Sequence, residues 1–374
     1  MRTVITGQVG LDKKPFLQRV LNLASAQGFD LDLMNIGDMM YAEAPDVPPG
    51  RILDLPLGRL QSLRRSVFKD VLNASQKSSS ILVNTHATFR WRHGLFYAFD
   101  HDQMQAFNAD MYIVLVDNVD RVHYRLSRDR HHDHTLKDLM VWREEEILAT
   151  ELVSQIVRGH GCFYIMARGS DEDDAPAEML VRMMFQHQMR KAYLSFPMSH
   201  IGNGPACSSA LARIEDFRRQ MKRMFLCFDP GDVEEKPLCA LAIEAARSGL
   251  RTIEYGPAGR KATLDVSDLL AIIPDIDGQI YARDFKLIDQ ADMIISLIPE
   301  IEDGRPCISS GVERELQHAH EAAKDVFVIW QAKVNPSPFI TETATRVFTS
   351  VAQAMDFFID SDYVPSTPPG RLFT

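Results

Sequence analysis

The chain has 374 residues, more than one ordinary core holds, so two domains of roughly 150–200 residues are expected. Hydrophobic residues make up 45% and charged residues 25%, a balance that excludes a disordered or membrane-embedded chain. The formal net charge of −10 excludes a nucleic-acid polymer bound through a broad cationic surface, while leaving room for a local cationic cleft around a small phosphorylated ligand. Five cysteines (Cys162, Cys207, Cys227, Cys239, Cys307) form no CxxC pair and leave an odd one over, which suits a reducing cytoplasm better than a disulfide framework. No basic, apolar leader opens the chain and no stretch approaches a membrane span, so a cytoplasmic protein without a membrane partner is expected.

Strand-like runs are read at Thr3–Thr6, Asp30–Met34, Ile81–Asn84, Met111–Val116 and Cys162–Met166. The acidic cluster Asp171–Asp174 is expected to start a helix running through Met184, because carboxylates favour the positive end of a helix dipole. A fresh strand signal opens at Lys191, followed by Met224–Phe228, Arg251–Tyr255, Met293–Leu297, Val326–Trp330 and Arg346–Thr349. Helical patterns fill the intervals. Such alternation predicts an α/β chain of two doubly wound domains with mainly parallel sheets, residues 1–188 and 189–374.

The stretch "TVITGQVGLDKKPF" has the layout of a phosphate-binding loop. Glycines let backbone N–H groups face phosphate oxygens, lysine reaches the outer phosphates, and Ser/Thr ligates magnesium. Gly7, Gly10 and Lys13 are in register. Asp12 stands at the glycine position before the lysine and Lys14 at the Ser/Thr position. The loop alone is equally compatible with a plain strand–turn–helix. "RDRHHDHT", Arg128–Thr135, crowds three histidines and an aspartate together. Adjacent histidines without a distant partner seldom close a tetrahedral site, so this is read as a solvated loop tip and no metal site is assigned.

The segments "GFDLDLMNIGDMM", "RILDLPLGRLQSLRR", "ILVNTHATFRWRHGLFYAF" and "MYIVLVDNVDRVHYRLSRDR" follow in the order found in archaeal-type adenylate kinases, and residues 1–186 resemble that family. The resemblance implies a P-loop nucleoside monophosphate kinase-like domain with ATP and magnesium as its ligands. It places Asn35–Met40 by the acceptor nucleotide and Arg125, Arg128 and Arg130 in or near a phosphate-covering lid. Asn84 is a third departure, since the family usually has aspartate there. Losing the hydroxyl ligand and the aspartate together weakens the metal half of phosphoryl transfer. A kinase fold with eroded kinase activity is therefore expected.

In the second half three segments carry chemistry: "AYLSFPMS", "YARDFKLIDQADMIISLIPE" and "ISSGVERELQHAHEAAKDVFVIW". Asp284 is expected to begin a helix, and a Ser-Ser-Gly turn to open another that bears Glu315. The order strand, D-x-x-x-(L/I)-x-x-A-D, strand, S-x-G-V-x-x-E-L resembles the nucleoside 2-deoxyribosyltransferase family, in the subgroup that includes the deoxynucleoside 5′-monophosphate N-glycosidases, over residues 191–335. The resemblance implies Glu315 as nucleophile, Asp284 in protonation of the leaving base or positioning of the sugar, and Tyr193 in the sugar pocket. It also implies a homo-oligomer, at least a dimer, and no cofactor for the glycosidic step.

The chemistry agrees with that pairing. Breaking an N-glycosidic bond builds oxocarbenium character that one carboxylate can trap while a second, protonated carboxyl assists the departing base. The plain alternatives are a solvated first-turn glutamate and a helix-capping aspartate. Ser309 replaces the acidic residue typical of transferases acting on free deoxynucleosides. With Ser310, Gly311 and a helix N-terminus it favours a 5′-phosphate, which a carboxylate would repel. Three readings follow: a (deoxy)nucleotide N-glycosidase or transferase with a kinase-like companion domain, a bifunctional enzyme with an active kinase, and a non-catalytic nucleotide sensor. Base, sugar and acceptor stay open.

Overall fold

The computed structural model of the protein describes residues 1–91, 94–129, 134–198, 205–257, 259–301 and 304–365. The chain divides into two compact units, Met1–Met184 with Val233–Gly278, and Phe185–Asp232 with Gln279–Thr374. The expected boundary at 188/189 lies close to the first crossing. Val233–Gly278 groups with the first unit, a return of the chain that a single linear division does not contain.

The first unit begins with β1 (Arg2–Thr6), α1 (Lys13–Ala26), β2 (Asp32–Asn35), α2 (Ile36–Glu43), α3 (Leu57–Ser75) and β3 (Ile81–Asn84). A hairpin of β4 (Thr88–Trp91) and β5 (Gly94–Tyr97) follows, then α4 (His101–Phe107), β6 (Met111–Val116), α5 (Val119–Arg128), α6 (Leu136–Arg158), β7 (Phe163–Ala167) and α7 (Ala175–Phe185). Its main sheet is parallel in the order β2-β3-β1-β6-β7. Val4 is in register with Val83 and Tyr112, and the apolar faces of α3 and α4 cover that row through Phe68 and Phe107. Such uninterrupted apolar strands are what a sheet covered on both faces requires.

Continuing along the chain come β8 (Lys191–Ser195), α8 (Pro205–Met224), β9 (Leu226–Phe228), α9 (Lys236–Arg247), β10 (Thr252–Tyr255), β11 (Ala262–Asp265) and α10 (Val266–Asp289). The chain then forms β12 (Met293–Ile298), α11 (Ser310–Glu321), β13 (Asp325–Trp330), α12 (Pro338–Thr341), β14 (Arg346–Phe348) and α13 (Val351–Asp360). The second unit's sheet is parallel in the order β14-β13-β12-β8-β9. Counted within this unit, that is the doubly wound order 2-1-3-4-5, whose direction of winding reverses between β8 and β12. Phe217, Phe225, Phe327, Phe348 and Phe358 fill one face. The α/β class with mainly parallel sheets is as expected.

Three local expectations need correction. Arg251–Tyr255 is a strand, but β10 pairs antiparallel with β11 in a two-stranded ribbon instead of joining a parallel sheet. The acidic cluster precedes its helix: Asp173 accepts from the Ala175 N–H at 3.0 Å, and α7 starts at Ala175. Asp284 does not begin a helix. It lies inside α10, which runs from Val266 to Asp289 with Pro274 in its interior, where the ring removes the N–H that would otherwise donate to the Leu270 carbonyl without ending the helix. The β4–β5 hairpin, which alternation alone does not indicate, exposes Leu95 and Tyr97 while Phe89 of β4 packs against the core.

Candidate functional site

In the first unit, β1 runs into a turn whose backbone depends on its glycines. Gly7 sits at φ +139°, where a Cβ would come within 2.8 Å of the Leu115 carbonyl oxygen; Gly10 sits at φ +89° against Leu126. Asp12 also adopts a left-handed conformation, φ 47°. Glycine would take that conformation without strain, and aspartate is among the few residues that tolerate it. Lys13, 8% exposed, opens α1 and turns its Nζ back to the carbonyl oxygens of Gly7 (3.1 Å) and Thr85. This is the loop-and-lysine geometry that Gly7, Gly10 and Lys13 pointed to.

A residue that the sequence did not single out holds the loop together. Glu146 on α6 is fully buried. Its oxygens accept from the N–H groups of Gly7 (3.2 Å), Ala87 (2.8 Å) and Thr88 (2.9 Å) and from Thr88 Oγ1 (2.5 Å). Burial pushes its carboxyl up, but His86, Lys13 and Thr88 pull harder and leave it at about 2. Burial lowers Lys13 to about 8 and Arg64 to about 9, in both cases against the attraction of Glu146. Arg64 donates to Thr85 Oγ1 at 2.9 Å. His86 is pushed below its usual value by burial and then by Lys13; its buried Nδ1, 3.7 Å from Glu146, has no hydrogen-bond partner.

Loop, helix start and the ends of β2 and β3 surround a cavity of about 290 Å³. Lys13, Lys14, Arg64, Asn84 and His86 all line it. Arg125 is buried on α5, paired with Asp117 at 2.8 Å and 3.4 Å from the Gly10 carbonyl oxygen. Arg128 ends the same helix and pairs with Asp12 Oδ2 at 3.0 Å. Both arginines thus reach the loop, each already engaged with a carboxylate. Arg130, His131, His132 and Asp133 lie outside the described residues. Arg260 pairs with Asp171 and Glu172. Trp142 is buried.

In the second unit, the carboxyl end of β8 meets Glu315 of α11. Such crevices, where the winding direction reverses, are where doubly wound sheets bind ligands. Ser195 ends β8 in register with Ser296 of β12. Ser195 Oγ donates to Glu315 Oε2 at 2.6 Å, and Ser296 Oγ lies 3.4 Å from Ser195 Oγ. Tyr193 is fully buried two residues earlier on β8. Its hydroxyl has no hydrogen-bond partner of good geometry, although Glu315 is near enough for each to influence the other's titration.

Burial raises the Glu315 carboxyl to about 7, with the charge of Asp284 adding to the rise and the Ser195 hydrogen bond opposing it. Burial raises Asp284 to about 6 against the pull of Arg283, and its Oδ1 is buried without a partner. Tyr193 is raised well above 10, first by burial and then by these two carboxylates. Ser309 caps α11, its Oγ accepting from the Val312 N–H at 3.3 Å; Ser310 and Gly311 follow in the exposed first turn. Ser195, which the sequence did not single out, lies in the quoted "AYLSFPMS", where its alternation with Tyr193 was the available signal. Asp229, buried just after β9, holds Arg218 at 2.7 Å and Lys222 at 2.8 Å, so those cations serve the end of the sheet.

An AAA domain family model matches residues 6–143. The adenylate kinases of Pyrococcus furiosus and Pyrococcus abyssi are 22% identical to this chain over 174 and 176 residues, 45% of the chain and 87% of each relative. A crystal structure of shikimate kinase from Bacteroides thetaiotaomicron is 14% identical with a TM-score of 0.34, covering 50% of this chain and 97% of that one. The first unit has a P-loop fold of the kinase-like, nucleotide-binding type. The family match ends at residue 143, and the reading of the second unit rests on its own geometry. No helix among the described residues is long and apolar enough to cross a membrane.

Proposed function

We propose that the second unit cleaves or exchanges the N-glycosidic bond of a (deoxy)nucleoside 5′-monophosphate, and that the kinase-like unit binds a nucleotide with little phosphoryl transfer. The observation that carries the first part is the pair of carboxyls, Glu315 and Asp284. Both are pushed up by burial, at the crevice where a doubly wound sheet takes its ligand. Two interacting carboxyls that titrate near neutrality are the equipment for one nucleophile and one proton donor.

In the proposed step the Glu315 carboxylate forms a bond to the anomeric carbon as the C–N bond breaks. The base leaves with the bonding electron pair and takes the proton of the Asp284 carboxyl. Asp284, now ionised, deprotonates a water or a second base, which displaces Glu315 and completes hydrolysis or exchange. Ser195 steadies the reacting carboxylate through its hydrogen bond. Tyr193 supplies a buried wall and a hydroxyl held neutral. The first turn of α11, with Ser309, Ser310 and Gly311, takes the 5′-phosphate at the positive end of the helix.

Incubation with a panel of nucleoside monophosphates, read by chromatography of the released base, tests the proposal. Glu315→Gln should abolish release while the protein still binds substrate, and an unchanged turnover would sink the assignment. A nucleoside without its phosphate should react far more slowly than its monophosphate, with Ser309→Asp narrowing that gap. Equal catalytic efficiencies would remove the phosphate from the reading. The active form is proposed to be at least a dimer, which sedimentation at assay concentration checks.

A further inference from the structure

The residues around the P-loop do not suit a magnesium ion. At the position where a P-loop offers a hydroxyl to the metal stands Lys14, whose ammonium pairs with Asp38 of α2. Asn84, ending β3, donates from Nδ2 to Asn35 Oδ1 at 2.8 Å, and its Oδ1 is buried without a partner. A single neutral amide oxygen is a poor anchor for Mg²⁺, which is bound through one or two carboxylates beside the phosphates. The buried carboxylate nearby, Glu146, spends its oxygens on Gly7, Ala87 and Thr88. Asp12 is held by Arg128.

Positive charge takes the place of metal ligands. Lys13, Lys14 and Arg64 line one cavity. The side chains of Lys14 and Asp38 are 61% and 50% exposed, and a surface pair of this kind holds weakly enough to exchange for a phosphate. A divalent cation approaching the same spot meets a like charge.

We propose that this pocket holds the polyphosphate tail of a nucleoside di- or triphosphate without a divalent metal ion, the Lys14 ammonium standing in for the cation. The proposal rests on the nucleotide-binding reading of the first unit given above. A polyphosphate neutralised by fixed side chains binds tightly but lacks the ion that bridges its oxygens during transfer. The site is then a nucleotide-responsive element, not a kinase.

Isothermal titration of the full-length protein with ATP, once in EDTA and once in excess magnesium chloride, tests this. Wild type should bind equally well in both, and Lys14→Thr should bind about tenfold more weakly in EDTA, the value of one charge-assisted hydrogen bond, and recover when magnesium is added. Wild-type binding that tightens about tenfold or more with magnesium overturns metal independence and leaves nucleotide binding standing. Unchanged affinity of Lys14→Thr in EDTA overturns the role of Lys14. Absence of ATP binding in both buffers overturns the proposal together with the reading on which it rests.

Discussion

Removing the Ser195 hydroxyl should move the pH profile of base release as well as its height. Burial raises Glu315 to about 7 and Asp284 to about 6, and the proposed chemistry needs an ionised Glu315 beside a protonated Asp284, one of the two arrangements of the singly protonated pair. Wild type should show a narrow bell in kcat/KM centred near pH 6.5. Ser195 Oγ donates to Glu315 Oε2 at 2.6 Å and opposes the rise of that carboxyl. A charge-assisted hydrogen bond is worth about 1.5–3 kcal/mol, so Ser195→Ala should raise Glu315 by about 1–2 units. The basic limb should shift up by that amount, and the peak should fall about 10- to 100-fold as the reactive arrangement becomes rarer. Stopped-time assays of released base across pH 5–9 with a saturable monophosphate would read both changes. A lower profile with both limbs in place would mean that Ser195 only packs the site, and the argument for its role would be lost.

Two further outcomes follow from buried charge. The folded state raises Glu315 from 4.5 to about 7, so it binds that proton more tightly than the unfolded chain does. The stability this contributes is complete below about pH 4.5 and is lost as pH rises through 7. Glu315→Gln should therefore melt several degrees above wild type at pH 8 and close to it at pH 4.5, by calorimetry of the second unit's transition; identical melting at pH 8 would contradict the burial of that charge. Glu146 has the reverse sign. Its folded value is held down from 4.5 to about 2, so its contribution is present above pH 4.5 and fades as pH falls toward 2. Glu146→Gln should cost the first unit about 3–5 kcal/mol at pH 7, since Lys13 and Arg64 lose their buried countercharge. Urea unfolding followed by tryptophan fluorescence would show this, and a loss below about 1 kcal/mol would place Glu146 outside the loop's support.

By itself, the sequence determined whatever is local. Apolar runs long enough for a covered strand announced both parallel sheets, because strands buried on two faces admit few polar residues. The glycines of "GQVGLDKK" set the loop, since a side chain at Gly7 or Gly10 would collide with Leu115 or Leu126, and the spacing from Ser309 to Glu315 placed that carboxyl early on its helix. Tertiary structure decided what depends on distant partners. Glu146 reaches Gly7 across 139 positions, and no spacing rule spans that interval. Asp284 became a mid-helix residue because α10 continues through Pro274. Val233–Gly278 joined the first unit through contacts such as Glu235 with Arg143, a buried pair at 2.9 Å. The upward shift of Glu315 and Asp284 was decided there too. Desolvation drives both, and it exists only once the chain has folded around the two carboxyls.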